Sequence, residues 1–236
     1  FTNISTGYSV TSIYIYNSGT TASVENCTFK DMTAKSAAIQ TGNSTRLILK
    51  DSTFKNLTNT EGSTFATGVY CYGSGEEIIN CTFEDLTLST SGNGAGVAIS
   101  SGSYGSTNTN ISGCSFINCI GTQTSSSNFI SGAITTKGGT ISNNAFISNN
   151  ATGASGKAFN EILAFAKVTA DSNYWGSNAG PGENSLNSNN VTVNNWAVIT
   201  MDDVDSVFVD VETDLTFKLN TYNTTSGETG TISGSM

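Results

Sequence analysis

Apolar and polar residues alternate along this chain in short runs, and the runs return at a nearly constant interval. Leu47 and Leu49 alternate with Ile48 and Lys50 ahead of Phe54, and Ile78, Ile111 and Ile141 stand in the same relation to Phe83, Phe116 and Phe146. Alternation of period two places successive side chains on opposite faces of a strand. Each time, an aromatic closes a short phrase: Asn26-Cys-Thr-Phe29, Asp51-Ser-Thr-Phe54, Asn80-Cys-Thr-Phe83, Gly113-Cys-Ser-Phe116, Asn143-Asn-Ala-Phe146 and Asp171-Ser-Asn-Tyr174. With Phe1 as an incomplete first copy, the steps are 28, 25, 29, 33, 30 and 28 residues. A period in this range marks a solenoid.

A second strand follows each phrase: Ala37-Ala-Ile-Gln40, Gly68-Val-Tyr-Cys71, Gly96-Val-Ala-Ile99 and Gly132-Ala-Ile-Thr135, with glycine and serine clusters as turns. Each repeat is then one coil. Coils stacked at the strand spacing of about 4.8 Å predict an all-β, right-handed parallel β-helix over residues 1–190, about seven coils long. The helix-like stretch Ala158-Phe-Asn-Glu-Ile-Leu-Ala-Phe-Ala166 falls where a second strand is due and is read as strand. The phenylalanines stack inside the rod, and small polar residues beside them (Asn3, Asp31, Asn56, Asp85, Asn118, Ser148) bond backbone groups at turns.

Residues 191–236 have another texture. Val191–Val198 reads as a strand that closes the final coil with Trp196, and Val207, Val209 and Val211, then Leu215, Phe217 and Leu219, alternate with mostly polar neighbours. That pattern fits antiparallel strands with one wet face. It resembles the first strands of an Ig-like β-sandwich, although such a module needs about 100 residues. The tail is therefore either a truncated module or a cap over an edge that would otherwise invite aggregation. A start in mid-repeat at Phe1 predicts a piece of a longer, processed protein.

Charge narrows the partners. Eighteen acidic residues face nine basic ones, a net charge of -9, which disfavours nucleic acid and anionic membrane surfaces. No apolar run approaches the 18 or more residues of a membrane span, so no membrane insertion is expected within this segment. The five cysteines (Cys27, Cys71, Cys81, Cys114, Cys119) form no CxxC, and without histidine no zinc site or other cofactor is expected. They read either as a ladder of stacked small side chains or as disulfides, Cys81 with Cys114 or Cys114 with Cys119. The cluster Asp202-Asp-Val-Asp205 reads as a solvated acidic turn or as calcium ligands, but lacks EF-hand spacing.

Catalysis finds little to work with. Glycoside hydrolysis usually needs two carboxylates across the substrate, and the adjacent pairs Glu76-Glu77 and Glu84-Asp85 fall at a strand entrance and on the ladder. With no histidine and Arg46 as the single arginine, the usual nucleophilic triads are absent. No enzyme is expected.

Binding has a positive signal. In Ile13-Tyr-Ile-Tyr16 and Val69-Tyr-Cys-Tyr72, inward Ile13, Ile15, Val69 and Cys71 would turn Tyr14, Tyr16, Tyr70 and Tyr72 outward on one side of the rod. The two pairs lie two coils apart, about 10 Å. Exposed rings with a polar edge suit sugars or a protein partner; the alternative is that they pack under a long loop or cover sheet surface. Nine Asn-x-Ser/Thr sequons, Asn43-Ser-Thr among them, add little in a chain this rich in those residues.

Phe146-Ile-Ser-Asn149, Ser131-Gly-Ala-Ile134 and the Asn-Cys-Thr-Phe phrases resemble repeats of surface β-helix adhesins, found in polymorphic outer-membrane proteins and in adhesin-like proteins of methanogenic archaea. Asn173-Tyr-Trp-Gly-Ser-Asn-Ala-Gly-Pro-Gly182 is closer to the methanogen group, where such a segment ends the β-helix before Ig-like modules. The resemblance implies an extracellular, cell-surface protein attaching to glycans or proteins of a host or neighbouring cell. It supplies no catalytic residues. A rigid stalk and a β-helix polysaccharide lyase or hydrolase are the alternatives.

Overall fold

A computed structural model describes residues 1–2, 12–16, 19–42, 44–60, 62–73, 75–101, 108–187, 189–201 and 216–231. Asn3, the cluster Asp202-Asp-Val-Asp205, Val207, Val209, Val211 and Leu215 lie outside these. The described chain contains strands and no helix. It winds as a parallel β-solenoid with three faces. The first face stacks Ile13–Ile15, Ile39–Thr41, Val69–Tyr70, Ile99–Ser100, Ile134–Thr136 and Ile162–Ala164. The second runs through seven strands from Thr21–Glu25 to Val191–Thr192. The third begins with Thr28–Thr33, Thr53–Asn59 and Thr82–Thr90, then divides in each later turn into two short strands. Five turns carry a full strand on every face. The expected seven coils counted the aromatics, which extend into incomplete turns at both ends.

A four-residue corner explains the winding. In Val24-Glu25-Asn26-Cys27 and again in Phe29-Lys30-Asp31-Met32, the first and fourth side chains point inward. Strict alternation would send the fourth outward. The third residue cancels it by adopting a left-handed backbone: φ is 53° at Asn26, 54° at Asp31, 49° at Asp51, 53° at Asn56 and 51° at Asn118. Asparagine and aspartate tolerate that conformation better than other side chains. They also bond outside the rod, Asn56 Nδ2 donating to Asp31 Oδ1 (2.7 Å) and Asn118 Nδ2 to Asp85 Oδ1 (2.8 Å).

Inside, the rings form one column. Phe1, Phe29, Phe54, Phe83, Phe116 and Phe146 lie 4.7–5.1 Å apart and nearly parallel. That is the strand spacing itself. Each buried ring contributes roughly 1.5–3 kcal/mol. The seventh member is Trp175, 5.0 Å from Phe146, whereas the phrase ending at Tyr174 expected the tyrosine. The left-handed residue of that corner is Ser172 (φ 58°), not Asp171, so the aromatic three places on is Trp175.

Two residues before each ring runs a polar ladder. The Cys27 amide donates to Ser52 Oγ (3.1 Å), Cys81 to Cys114 Sγ (3.4 Å), Cys114 to Asn144 Oδ1 (2.9 Å) and Asn144 to Asn173 Oδ1 (2.9 Å). The asparagines return a bond, Asn144 Nδ2 to the Ile111 carbonyl and Asn173 Nδ2 to that of Ile141. Buried polar groups need such partners. All five cysteines are free thiols, and all but Cys27 are buried. Burial pushes the Cys71, Cys114 and Cys119 thiols up, while the hydrogen bond with Cys114 draws Cys81 down.

The last parallel strand, Val191–Thr192, pairs with Val168–Thr169. An antiparallel sheet of Asn195–Met201, Phe217–Thr224 and Thr229–Thr231 follows. The Trp175–Gly182 phrase joins the two. Asn178 accepts the Ile199 amide (2.7 Å) and donates to its carbonyl (2.8 Å), while Trp196 Nε1 donates to the Asn178 carbonyl (3.0 Å). Gly180 lies so close to the Trp196 ring that a β-carbon would sit 2.8 Å from it. The motif is thus a clasp between rod and sheet.

Candidate functional site: an aromatic groove on the first face

On the first face, Ile13 pairs in register with Ile39, and Ile39 with Val69, with Val69 fully buried. The next residue along each strand points outward, making a row of Tyr14, Gln40, Tyr70, Ser100, Thr135 and Leu163. Tyr14 and Tyr70 therefore share one side of the rod, two strands apart. Their surroundings differ sharply.

Tyr14 is 57% exposed and Tyr16 74%, with their rings stacked 5.9 Å apart. The Tyr16 ring also lies across Gly42 of the next turn, where a β-carbon would collide with it. Tyr70 is only 7% exposed. Phe65 stacks on it at 4.9 Å, Tyr72 meets it at 4.5 Å with a tilt of 56°, and Ala37 and Ala66 complete the cluster. Thus Tyr70 points away from the core yet is covered, and Tyr72 is half-buried. The expectation of four open rings holds for Tyr14 and Tyr16, while a loop takes the place of solvent over Tyr70.

That loop, residues 62–66, is held by the turn above it. The Ser91 amide donates to the Gly62 carbonyl (3.0 Å) and the Gly96 amide to the Phe65 carbonyl (2.9 Å). Gly92 of that turn packs directly against the loop, since a β-carbon there would come within 2.7 Å of the Thr64 carbonyl oxygen. Asn59 Nδ2 braces it from within by donating to the Ala66 carbonyl (3.3 Å).

Between loop and sheet lies a groove of about 480 Å³. Phe65, Tyr70 and Tyr72 supply its aromatic walls, and Lys35, Ser36, Gln40, Ser63 and Thr64 its polar and charged groups. Ser36 Oγ donates to Gln40 Oε1 (3.1 Å), which orients the Gln40 amide. Aromatic walls with a few placed polar groups, in a volume of about 300–1,000 Å³, are the usual make-up of a small-ligand site. The described lining carries no carboxylate.

Phe65, Ser36 and Gln40 were not singled out from the sequence. Phe65 had a visible signal, as a lone aromatic in the polar run Thr60-Glu-Gly-Ser-Thr-Phe-Ala-Thr67. Elsewhere, Glu161 is buried between turns with Oε2 accepting from Asn149 Nδ2 (2.8 Å), and burial pushes its carboxyl up to about 7. Among the described residues no helix is long and apolar enough to cross a membrane.

Comparisons with protein-family models, with curated proteins and with solved structures give no match to this chain.

Proposed function

We propose that this chain is a non-catalytic, cell-surface attachment segment that binds glycans through the groove of Phe65, Tyr70 and Tyr72. The observation that carries the reading is the pairing of aromatic walls with an oriented amide at Gln40. A pyranose presents apolar C–H faces and a rim of hydroxyls, and this lining complements both. Tyr14 and Tyr16 extend the aromatic surface by one strand. The adhesin resemblance of the repeats points the same way.

The test is a glycan array and a cell-binding assay on the wild-type chain and on a variant with Tyr14, Tyr16, Phe65 and Tyr72 changed to alanine. Wild-type binding that the variant loses supports the reading. Equal binding by both would sink it. A second reading, a rigid stalk without a ligand of its own, is favoured by the unbroken ring column from Phe1 to Trp175. It stands if neither protein binds any cell or glycan.

A further inference from the structure

The outward row on the first face is not equally open along its length. Exposure falls from 57% at Tyr14 to 7% at Tyr70, and to 0% at Ser100 and Thr135. Beyond Tyr70 the row is sealed by chain from its own turns. Ser100 Oγ donates to the Gly94 carbonyl (3.1 Å) and Thr135 Oγ1 to the Ala95 carbonyl (2.7 Å). Loop 62–66 is tied to this same cover through Ser91 and Gly96. The groove therefore ends at Tyr70 in a wall built from hydrogen-bonded backbone. Towards Gln40 and Tyr14 it has no such wall among the described residues.

Such a shape discriminates between the end of a polymer and its middle. An internal segment would have to leave past Tyr70, where Ser100 and the Gly94–Gly96 backbone fill the row. A terminal unit fits with its ring among Phe65, Tyr70 and Tyr72. Its successors then run back over Gln40 to the exposed Tyr14–Tyr16 pair. Tyr14 and Tyr70 are two strand spacings apart, about 10 Å, which accommodates a short run of sugar rings rather than a long one.

We propose that the groove recognises the terminal unit of a neutral oligosaccharide, with Phe65, Tyr70 and Tyr72 enclosing the last ring and Tyr14 and Tyr16 supporting the units behind it. This rests on the glycan-binding reading above and adds to it the direction and extent of the bound chain.

The experiment is calorimetric titration of the full chain with β-linked glucose and N-acetylglucosamine oligomers, from monomer to hexamer. Each is used with free ends and with a bulky group on one end or the other. Affinity should rise from monomer to trimer and then level off, and a bulky group on one particular end should weaken binding at least tenfold. Changing Tyr14 and Tyr16 to alanine should bring trimer affinity down to that of the monomer, and a trimer affinity equal to wild type in this variant would overturn the proposed path of the bound chain. Affinity that climbs steadily to the hexamer, with groups on either end tolerated, would overturn terminal recognition and leave glycan binding intact. Binding to none of these sugars would overturn both.

Discussion

Trp175, not Tyr174, continues the column of Phe146: the two rings lie 5.0 Å apart and 14° from parallel. Residue for residue, Ala145 pairs with Tyr174, which leaves the tryptophan in register with the phenylalanine. Changing Trp175 to alanine should therefore cost about 3–5 kcal/mol. Changing the half-buried Tyr174 should cost clearly less. Denaturant melts of the two variants decide the frame, and a larger loss at Tyr174 would reverse it.

The left-handed corners make a second prediction. Asn118 sits at φ 51°, where a β-branched residue is strained by about 1–2 kcal/mol. Asn118→Val should lower stability by that amount or more, since the bond to Asp85 goes too. Asn118→Gly should lose less, because glycine adopts the same φ freely. Equal losses in the two variants would remove backbone strain from the account.

Glu161 should make stability depend on pH. In the folded chain its carboxyl titrates near 7 rather than at the ordinary 4.5. The folded state therefore holds a proton that the unfolded chain releases. Its contribution is most favourable below pH 4.5, declines as pH rises through this window, and levels off above about 7. The total swing is about 3 kcal/mol. Glu161→Gln should flatten this part of the profile, and identical profiles for wild type and variant would exclude it.

Thiol labelling should follow burial. Cys27 is partly exposed, whereas Cys71, Cys114 and Cys119 are buried and their thiols are pushed up by desolvation. An alkylating reagent applied to the native chain should mark Cys27 first and the other three only after unfolding, as read by peptide mass spectrometry. Rapid native labelling of Cys119 would contradict the packing of that turn.

What the sequence revealed follows what every coil must satisfy. Phe29, Phe54, Phe83, Phe116 and Phe146 answer one repeated demand, so their spacing exposes the rod and its register. Tyr174 misleads because two aromatics stand side by side, and Asp171 is a more familiar turn residue than Ser172. The frame that buries Ala170, Asn173 and Trp175 together resolves it. The groove was harder to read, since the cover over Tyr70 comes from Phe65 of one turn braced by Ser91 and Gly96 of the next. No periodicity records a contact made once.

That brace sets a rule for how such a rod can grow. A coil duplicated among the turns after Thr135 would repeat corners, ladder and ring column, lengthening the molecule while leaving the groove intact. A coil inserted between Phe65 and Gly96 would part the loop from its support and erase the groove, though the register of the rod would survive. Rod length and groove can therefore vary independently, with the boundary between them fixed by a few backbone bonds.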